Sequence, residues 1–346
     1  LAKTGIRQLA DHLGISIGTV SRALNDRPDV NPETRKRVLA AATDFGYVPN
    51  QSGRSLRQGT TNTIGFIVES GTDGSGSNDN FFLEVFGAIQ HVFARHNLDL
   101  VVLPCSTDED PLHHLQRMVS RRIVDALIIS ATRRKDPRIS FLADAHIPFI
   151  TLGRSSTPGP HPWLDLDFEG VANTAMDRLV AKGHRRIALG LPSNDINLGF
   201  LLLDGYKAGL ERQEIAFDPA LVLRAASSEQ GGYQLAHEVL SMGNRPTAVL
   251  LVHELMAIGL YRRMNDAGLE PGKDLSVIGF RESPLSRFLI PALTCFKLSL
   301  RDLGQALGES LLATIPAYAE HYPQGTVRRV WPMELVPGDS DGPPRM

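Results

Sequence analysis

From the start of the chain apolar residues recur at three-and-four spacing, so that Ile6, Leu9, Ala10 and Leu13 fall on one face of a short helix. Gly14 is placed to take the left-handed conformation that ends it, and Ser16 offers an oxygen to the free amides of a second helix over 17–24. That helix buries Val20, Ala23 and Leu24 and leaves Ile17, Gly18, Thr19, Ser21, Arg22 and Asn25 outward. Asn31 caps a third helix with Pro32 at its first position, and Val38, Leu39, Ala42 and Phe45 are expected to pack on the first two helices. Two amphipathic helices joined by a short glycine-containing turn are helix-turn-helix grammar, in which the second helix projects and can enter a DNA major groove. Its outward residues suit that place: arginine bonds two acceptors on a guanine edge, an apolar side chain meets a thymine methyl, and small hydroxyls reach phosphates.

Residues 46–62 are polar and contain glycine, the composition of a link. Asn50 is placed to cap a short helix over 51–57, which Gly53 weakens by roughly 1 kcal/mol relative to alanine, so this helix is expected to order only on DNA. Beyond it the period changes. Short apolar or β-branched runs at 64–69, 98–103, 126–130 and 149–152 read as strands, separated by helical patterns at 82–96, 111–122 and 138–145. A second series follows, with helices at 169–182, 199–213, 230–241 and 254–267 and strands at 186–191, 248–252 and 275–280. This alternation predicts an α/β core of two doubly wound lobes, with parallel sheets covered on both faces, behind an all-α N-terminal head. The Pro-, Gly- and Asp-rich stretch 337–346 offers no helix and is expected to be a flexible tail.

Charge is distributed unevenly. Residues 1–59 carry nine Lys or Arg against five acids, while the remainder holds 27 basic and 33 acidic residues, so an overall charge of −2 conceals a basic end of the kind that meets phosphates. At 42% hydrophobic and 21% charged, the composition is that of an ordinary globular chain. Apolar runs are broken well before the ~20 residues a membrane-spanning helix needs, and no export signal opens the chain, which points to the cytoplasm. Cys105 and Cys295 make no disulfide framework and read as small buried side chains. His113 and His114 read as a solvated helix face rather than a metal site, and no catalytic constellation or cofactor motif stands out, so an enzyme on this fold is not expected. The run GTDGSGS at 71–77 lacks the spacing and the Gly-Lys-Ser/Thr ending of a phosphate loop and reads as a loop at a cleft mouth.

The runs TVSRALN at 19–25, VNPETRKRVLAAATDFGYVPN at 30–50 and SGRSLRQG at 52–59 resemble the DNA-reading head and hinge of the lactose and galactose repressor (LacI/GalR) family of bacterial transcription regulators. The order of elements is similar to that family's to about residue 336. The resemblance implies a helix-turn-helix head at 1–49, a hinge helix and linker at 50–61, and an effector-binding core at 62–336 like the periplasmic sugar-binding proteins. Within that core it implies a first lobe of about 62–160 and 292–322 and a second of about 161–291 and 323–336. A strand at 294–297 and a helix at 299–315 would then return to the first lobe, and 328–335 would finish the second. In the resembling family Leu56 would wedge between base pairs, and Thr4, Ser16, Asn50, Ser52, Ser55 and Arg57 would join Ile17, Gly18, Thr19, Ser21, Arg22 and Asn25 at the operator. The resemblance also implies a homodimer on pseudo-palindromic double-stranded DNA, because the leucine-heptad helix that makes some relatives tetramers is missing here.

Effector contacts implied by the resemblance are Phe81, against a sugar face, with Ser130, Thr132 and Arg154 in the first lobe and His253, Glu254 and Arg281 in the second. Asp167 also aligns with a frequent acid, although a cap for the following helix is the simpler account. The second lobe departs from the family pattern. Leu202 stands where relatives often have arginine, His253-Glu254 where many have Asn-Asp, and Arg281-Glu282 where many have two aspartates. Two readings of Arg281 follow: a structural pair with Glu254 or Glu282, which is favoured, or recognition of an acidic or phosphorylated sugar. The function implied is a regulator, commonly a repressor of carbohydrate-uptake or catabolic genes, controlled by a small sugar-like effector. The alternatives are a solute-binding or sensor protein, which would need an export signal and no basic head, and an enzyme, which would need clustered acid, base or nucleophile groups.

Overall fold

Gly14 ends the first helix, Ile6–Leu13, at φ 65° and ψ 31°, and the chain turns at once into the second, Ile17–Leu24. Ser16 Oγ accepts from the backbone N–H of Thr19 at 3.0 Å, and Asn31 Oδ1 accepts from that of Glu33 at 2.9 Å, so side chains satisfy amides that open the second and third helices. The third helix, Pro32–Asp44, turns Val38, Ala41 and Ala42 onto Leu9, Ala10, Val20 and Ala23. Leu39 and Phe45 were expected in that core and lie outside it. Leu39 is one residue, and so about a quarter turn, off the buried face, while Phe45 follows the helix end and meets the His12 ring at 4.6 Å.

This is a computed structural model, which describes residues 5–24, 26–47, 60–70, 80–106, 108–322 and 327–345. The chain divides into two compact units at Thr61. The hinge helix expected at 51–57 and the loop at 71–77 lie outside the described residues.

Among the described residues, the larger unit carries two six-stranded sheets. One runs β11-β5-β4-β3-β1-β2, formed by β1 (Thr63–Ser70), β2 (Asp99–Ser106), β3 (Ala126–Ile129), β4 (Phe149–Leu152), β5 (Trp163–Leu166) and β11 (Arg328–Trp331). The other runs β12-β10-β9-β8-β6-β7, formed by β6 (Ile187–Pro192), β7 (Val222–Ala225), β8 (Ala248–Leu251), β9 (Ser276–Arg281), β10 (Thr294–Lys297) and β12 (Glu334–Val336). All neighbours are parallel except β10 and β12. Because successive side chains alternate across a sheet, Ile64, Phe66, Ala126 and Ile128 enter the main core, whereas Ile67, Leu127 and Ile129 enter a second core under the opposite face.

The lobes are assembled differently from the expectation. Strand β10 belongs to the second sheet, not the first, although the helix after it, Leu300–Leu312, does pack on Asn80–Ala94 of the first lobe. The single strand expected at 328–335 is two: Pro332 and Met333 interrupt it, so β11 extends the first sheet and β12 the second. Strand β5, placed in the second lobe by the expected boundary near 160, pairs with β4 in the first. Its polar Asp165 and short length hide it in the sequence, as Arg224 hides β7, which pairs with β6.

Two helices of the second lobe, Glu229–Ser241 and Glu254–Asp266, approach backbone to backbone at Gly232 and Gly259. A Cβ at Gly232 would lie 1.9 Å from the Met256 carbonyl oxygen, and one at Gly259 1.7 Å from that of Glu229. This contact fixes where Glu254, the first residue of its helix, comes to lie.

The tail expected to be flexible is instead tied to the second lobe. Asp341 is buried, with Arg178 and Lys182 paired to its carboxylate and the Thr294 hydroxyl donating to it at 2.5 Å. Ser340 donates to the Val277 carbonyl at 2.6 Å, and the His184 ring meets the Gly342 carbonyl at 2.8 Å. Burial pushes the Asp341 carboxyl up, but hydrogen bonds from Arg178, Thr294 and Lys182 outweigh it and hold the group below its ordinary value. Its contribution is therefore full above the ordinary carboxyl range and fades as pH falls through the folded-state value. Asp341→Ala should cost about 1.5–3 kcal/mol at pH 7, the worth of hydrogen bonds to a charged group, with a smaller deficit at low pH. Urea titrations at both pH values check this; equal stability of variant and parent at pH 7 would show that the tail is not an anchor.

Candidate functional site

In the head, the second helix turns Val20 and Ala23 inward, which leaves Ile17, Gly18 and Arg22 exposed and Thr19 and Ser21 half-buried. Ser16, at its start, is exposed and also bonds Thr19 Oγ1 at 2.9 Å. Arg22 Nε lies 3.3 Å from the Asp29 carboxylate, with both side chains more than half exposed, a pairing that contributes at most about 1 kcal/mol. Arg22 is therefore held over the outer face at little cost to exchange. Thr4, Asn25, Asn50, Ser52, Ser55, Leu56 and Arg57 lie outside the described residues.

In the larger unit the remaining candidates sit at the carboxyl ends of strands, where open α/β sheets place their ligands. Phe81, Ser130, Thr132 and Arg154 come together around a cavity of about 130 Å³, closed from the second lobe by Ile196 and Leu198. Their polar groups are largely engaged. Ser130 Oγ donates to the Ile67 carbonyl at 3.0 Å, and Thr132 Oγ1 to that of Arg154 at 3.1 Å. Arg154 bonds Asp165 at 2.9 Å and also pairs with Glu169. Burial pushes the Asp165 carboxyl up to about 6, overriding the pull of Arg154. The lobes meet here directly: Asn197 donates through its side chain to the Arg154 carbonyl and through its backbone to that of Thr132, each at 2.8 Å. Phe168 stacks on Phe280 at 4.7 Å.

Glu254 and Arg281 line a larger cavity of about 700 Å³, together with Glu84, Glu282, Arg287 and Lys297. Arg281 is the structural pair favoured from the sequence. It donates to Glu254 Oε1 at 2.6 Å with both side chains nearly dry, donates to the Glu282 carbonyl at 3.2 Å, and lies over the Phe81 ring at 5.2 Å. Arg287 takes the Glu282 carboxylate at 2.9 Å. Among the described residues, three carboxylates thus face three cations around the cavity.

His253 lines neither cavity; it caps the helix of Glu254, its Nδ1 accepting from Leu255 N–H at 3.3 Å. Asp167 likewise caps, accepting from Gly170 N–H at 2.9 Å. Leu202 is wholly buried. Sequence reasoning missed Phe82, Asp165, Phe168, Glu84 and Lys297 as lining residues. The alternating DLD run could have pointed to Asp165, while the others are set by lobe packing. His114, expected on a solvated face, is buried, and only His113 is exposed, because the second position of the pair turns toward Leu115 and Met118.

Residues 5–50 match the bacterial regulatory proteins of the lacI family, and residues 176–340 match the periplasmic binding protein-like domain. The HTH-type transcriptional regulator AglR of Rhizobium meliloti (strain 1021) is 34% identical over 345 residues, 98% of this chain and 94% of its own. A lac repressor dimer bound to operator and the anti-inducer ONPF is similar at TM-score 0.83 and 25% identity, covering 98% of this chain and 99% of the repressor. A LacI family regulator from Enterococcus faecium with bound ribose is similar at TM-score 0.67 and 27% identity, over 82% of this chain and 100% of its own. The chain belongs to the lacI family of bacterial regulatory proteins, and it is a DNA-binding transcriptional regulator, not an enzyme. Among the described residues no helix is long and apolar enough to cross a membrane.

Removing one partner of a buried ion pair leaves the other charge stranded, so Glu254→Ala should cost about 3–5 kcal/mol, whereas replacing both groups by Glu254→Gln with Arg281→Met should cost less than that single change. Denaturant titrations of the variants decide it. Equal stability of Glu254→Ala and parent would mean that Arg281 is supported by something else.

Proposed function

We propose that this regulator is a cytoplasmic, homodimeric repressor of carbohydrate-uptake or catabolic genes, whose hold on a pseudo-palindromic operator is set by a small sugar-like effector between the lobes. The observation that carries the DNA half is the outward face of Ile17, Gly18, Thr19, Ser21 and Arg22, presented by a helix whose opposite edge, Val20 and Ala23, is buried. Ser16 joins that face, and Thr4, Asn25, Asn50, Ser52, Ser55, Leu56 and Arg57 are assigned to the same DNA by their place in the family pattern.

The effector half rests on Phe81, Ser130, Thr132, Arg154, Glu254 and Arg281 lining two cavities at strand ends, while His253 supports the start of the Glu254 helix. An aromatic face beside paired donors and acceptors suits a ring with one apolar face and many hydroxyls. The ribose bound by the Enterococcus faecium relative and the operator bound by the lac repressor dimer support the same reading. The two-fold partner is supported by Phe288 and Ile290, which are 84% and 88% exposed on the second lobe, an apolar pair suited to cover by a second copy.

Arg22→Ala should weaken binding to the cognate operator by about 1–3 kcal/mol and relax preference at one position in each half-site, measured by band-shift titration against a substituted operator series. A uniform loss on every sequence would make Arg22 a phosphate anchor instead. In sedimentation, Phe288→Asp combined with Ile290→Asp should convert the dimer to monomer, and an unchanged dimer would move the interface elsewhere.

A further inference from the structure

Among the described residues, one cluster of metal-ligating side chains lies apart from both cavities. Cys105, near the end of the edge strand β2, Glu109, in the turn that follows, and His114, in the helix Pro111–Ser120, place a sulfur, a carboxylate oxygen and an imidazole nitrogen within 4.8 Å of one another. Local backbone fixes them there. Glu109 N–H bonds the Ser106 carbonyl at 3.0 Å, Asp110 caps the helix through His113 N–H at 2.8 Å, and His114 N–H reaches the Asp110 carbonyl at 2.9 Å. His114 Nδ1 meets Glu109 Oε2 at 2.8 Å, and Nε2 of the same buried ring has no hydrogen-bond partner among the described residues. Around them lie Ile67, Leu103, Leu115 and Met118, a low-dielectric wall.

We propose that Cys105, Glu109 and His114 form a binding site for zinc or a similar thiophilic divalent cation, with water completing the coordination. The donor set selects that class. Sulfur with imidazole and a single carboxylate suits zinc, whereas magnesium and calcium require several oxygens. Binding replaces the thiol proton, which leaves to solvent, by a metal–sulfur bond. Arg117 is the competitor: its guanidinium pairs with Glu109 and lies 3.2 Å from His114 Nδ1, and with 44% of its side chain exposed it has water to swing into when the cation arrives. A bound cation would staple the edge strand to the helix in the first lobe.

The test uses the full chain, titrated with zinc against a chromogenic chelator and with cobalt for the thiolate charge-transfer band. One ion per chain is expected, with a band that is lost in Cys105→Ser and kept in Cys295→Ser. His114→Asn should lose more than about tenfold in affinity, the lower end of what loss of an outer-shell partner alone costs. Arg117→Ala should bind more tightly than the parent because the competing cation is gone. A parent without the thiolate band, a band that persists in Cys105→Ser, or weaker binding by Arg117→Ala overturns the site. Should Cys105→Ser or His114→Asn fail to fold, the direction of the change in the solvent-facing Arg117→Ala still decides.

Discussion

A carboxylate that leaves water must be met by a cation, and the cleft is organised around Arg281 meeting Glu254 at 2.6 Å. Glu254 opens its helix, where the unpaired amides of the first turn favour negative charge, and the close contact of Gly232 with Gly259 sets that helix in place. Arg281 closes β9. Its guanidinium also lies over the Phe81 ring across the cleft, so a pair internal to the second lobe reaches the first. An arginine already committed to a carboxylate is poorly placed to select a second one, which weakens the reading of an acidic or phosphorylated effector.

How much of this was legible depends on the range of the interactions. The three helices of the head follow from local rules: a left-handed glycine, two side-chain caps and three-and-four spacing over segments of 8 to 13 residues. The parallel sheets follow from short apolar runs such as ALII in β3, which must be covered on both faces. Strands β5 and β7 were illegible because Asp165 and Arg224 break runs of only four residues, and β7 lies at a sheet edge where half-exposed positions are tolerated.

Strand order lies beyond local reading altogether. β10 could join either sheet by composition, and the division between β11 and β12 is made by partners more than thirty residues away in the chain. The same holds for the tail, whose Pro-Gly-Asp composition signals disorder until Arg178 and Lys182 are seen to converge on Asp341. In the cleft, the family pattern brought Phe81, Ser130, Thr132 and Arg154 to one cavity and Glu254 and Arg281 to the other, but not His253, whose ring is used by its own helix end.

The central claim is that the cleft and the operator communicate through the orientation of the two lobes. Asn197 on the Arg154 and Thr132 carbonyls, and Arg281 over Phe81, are contacts that a change of orientation must alter. Such coupling is reciprocal, because a ligand that changes operator affinity must have its own affinity changed by operator by the same factor. The direct measurement is calorimetric titration of a sugar found by thermal-shift screening into the full-length chain, with and without saturating operator DNA. The account predicts that the two dissociation constants differ by at least about fivefold, the lower end of ordinary allosteric coupling. Equal constants, with the sugar bound in both titrations, would contradict it.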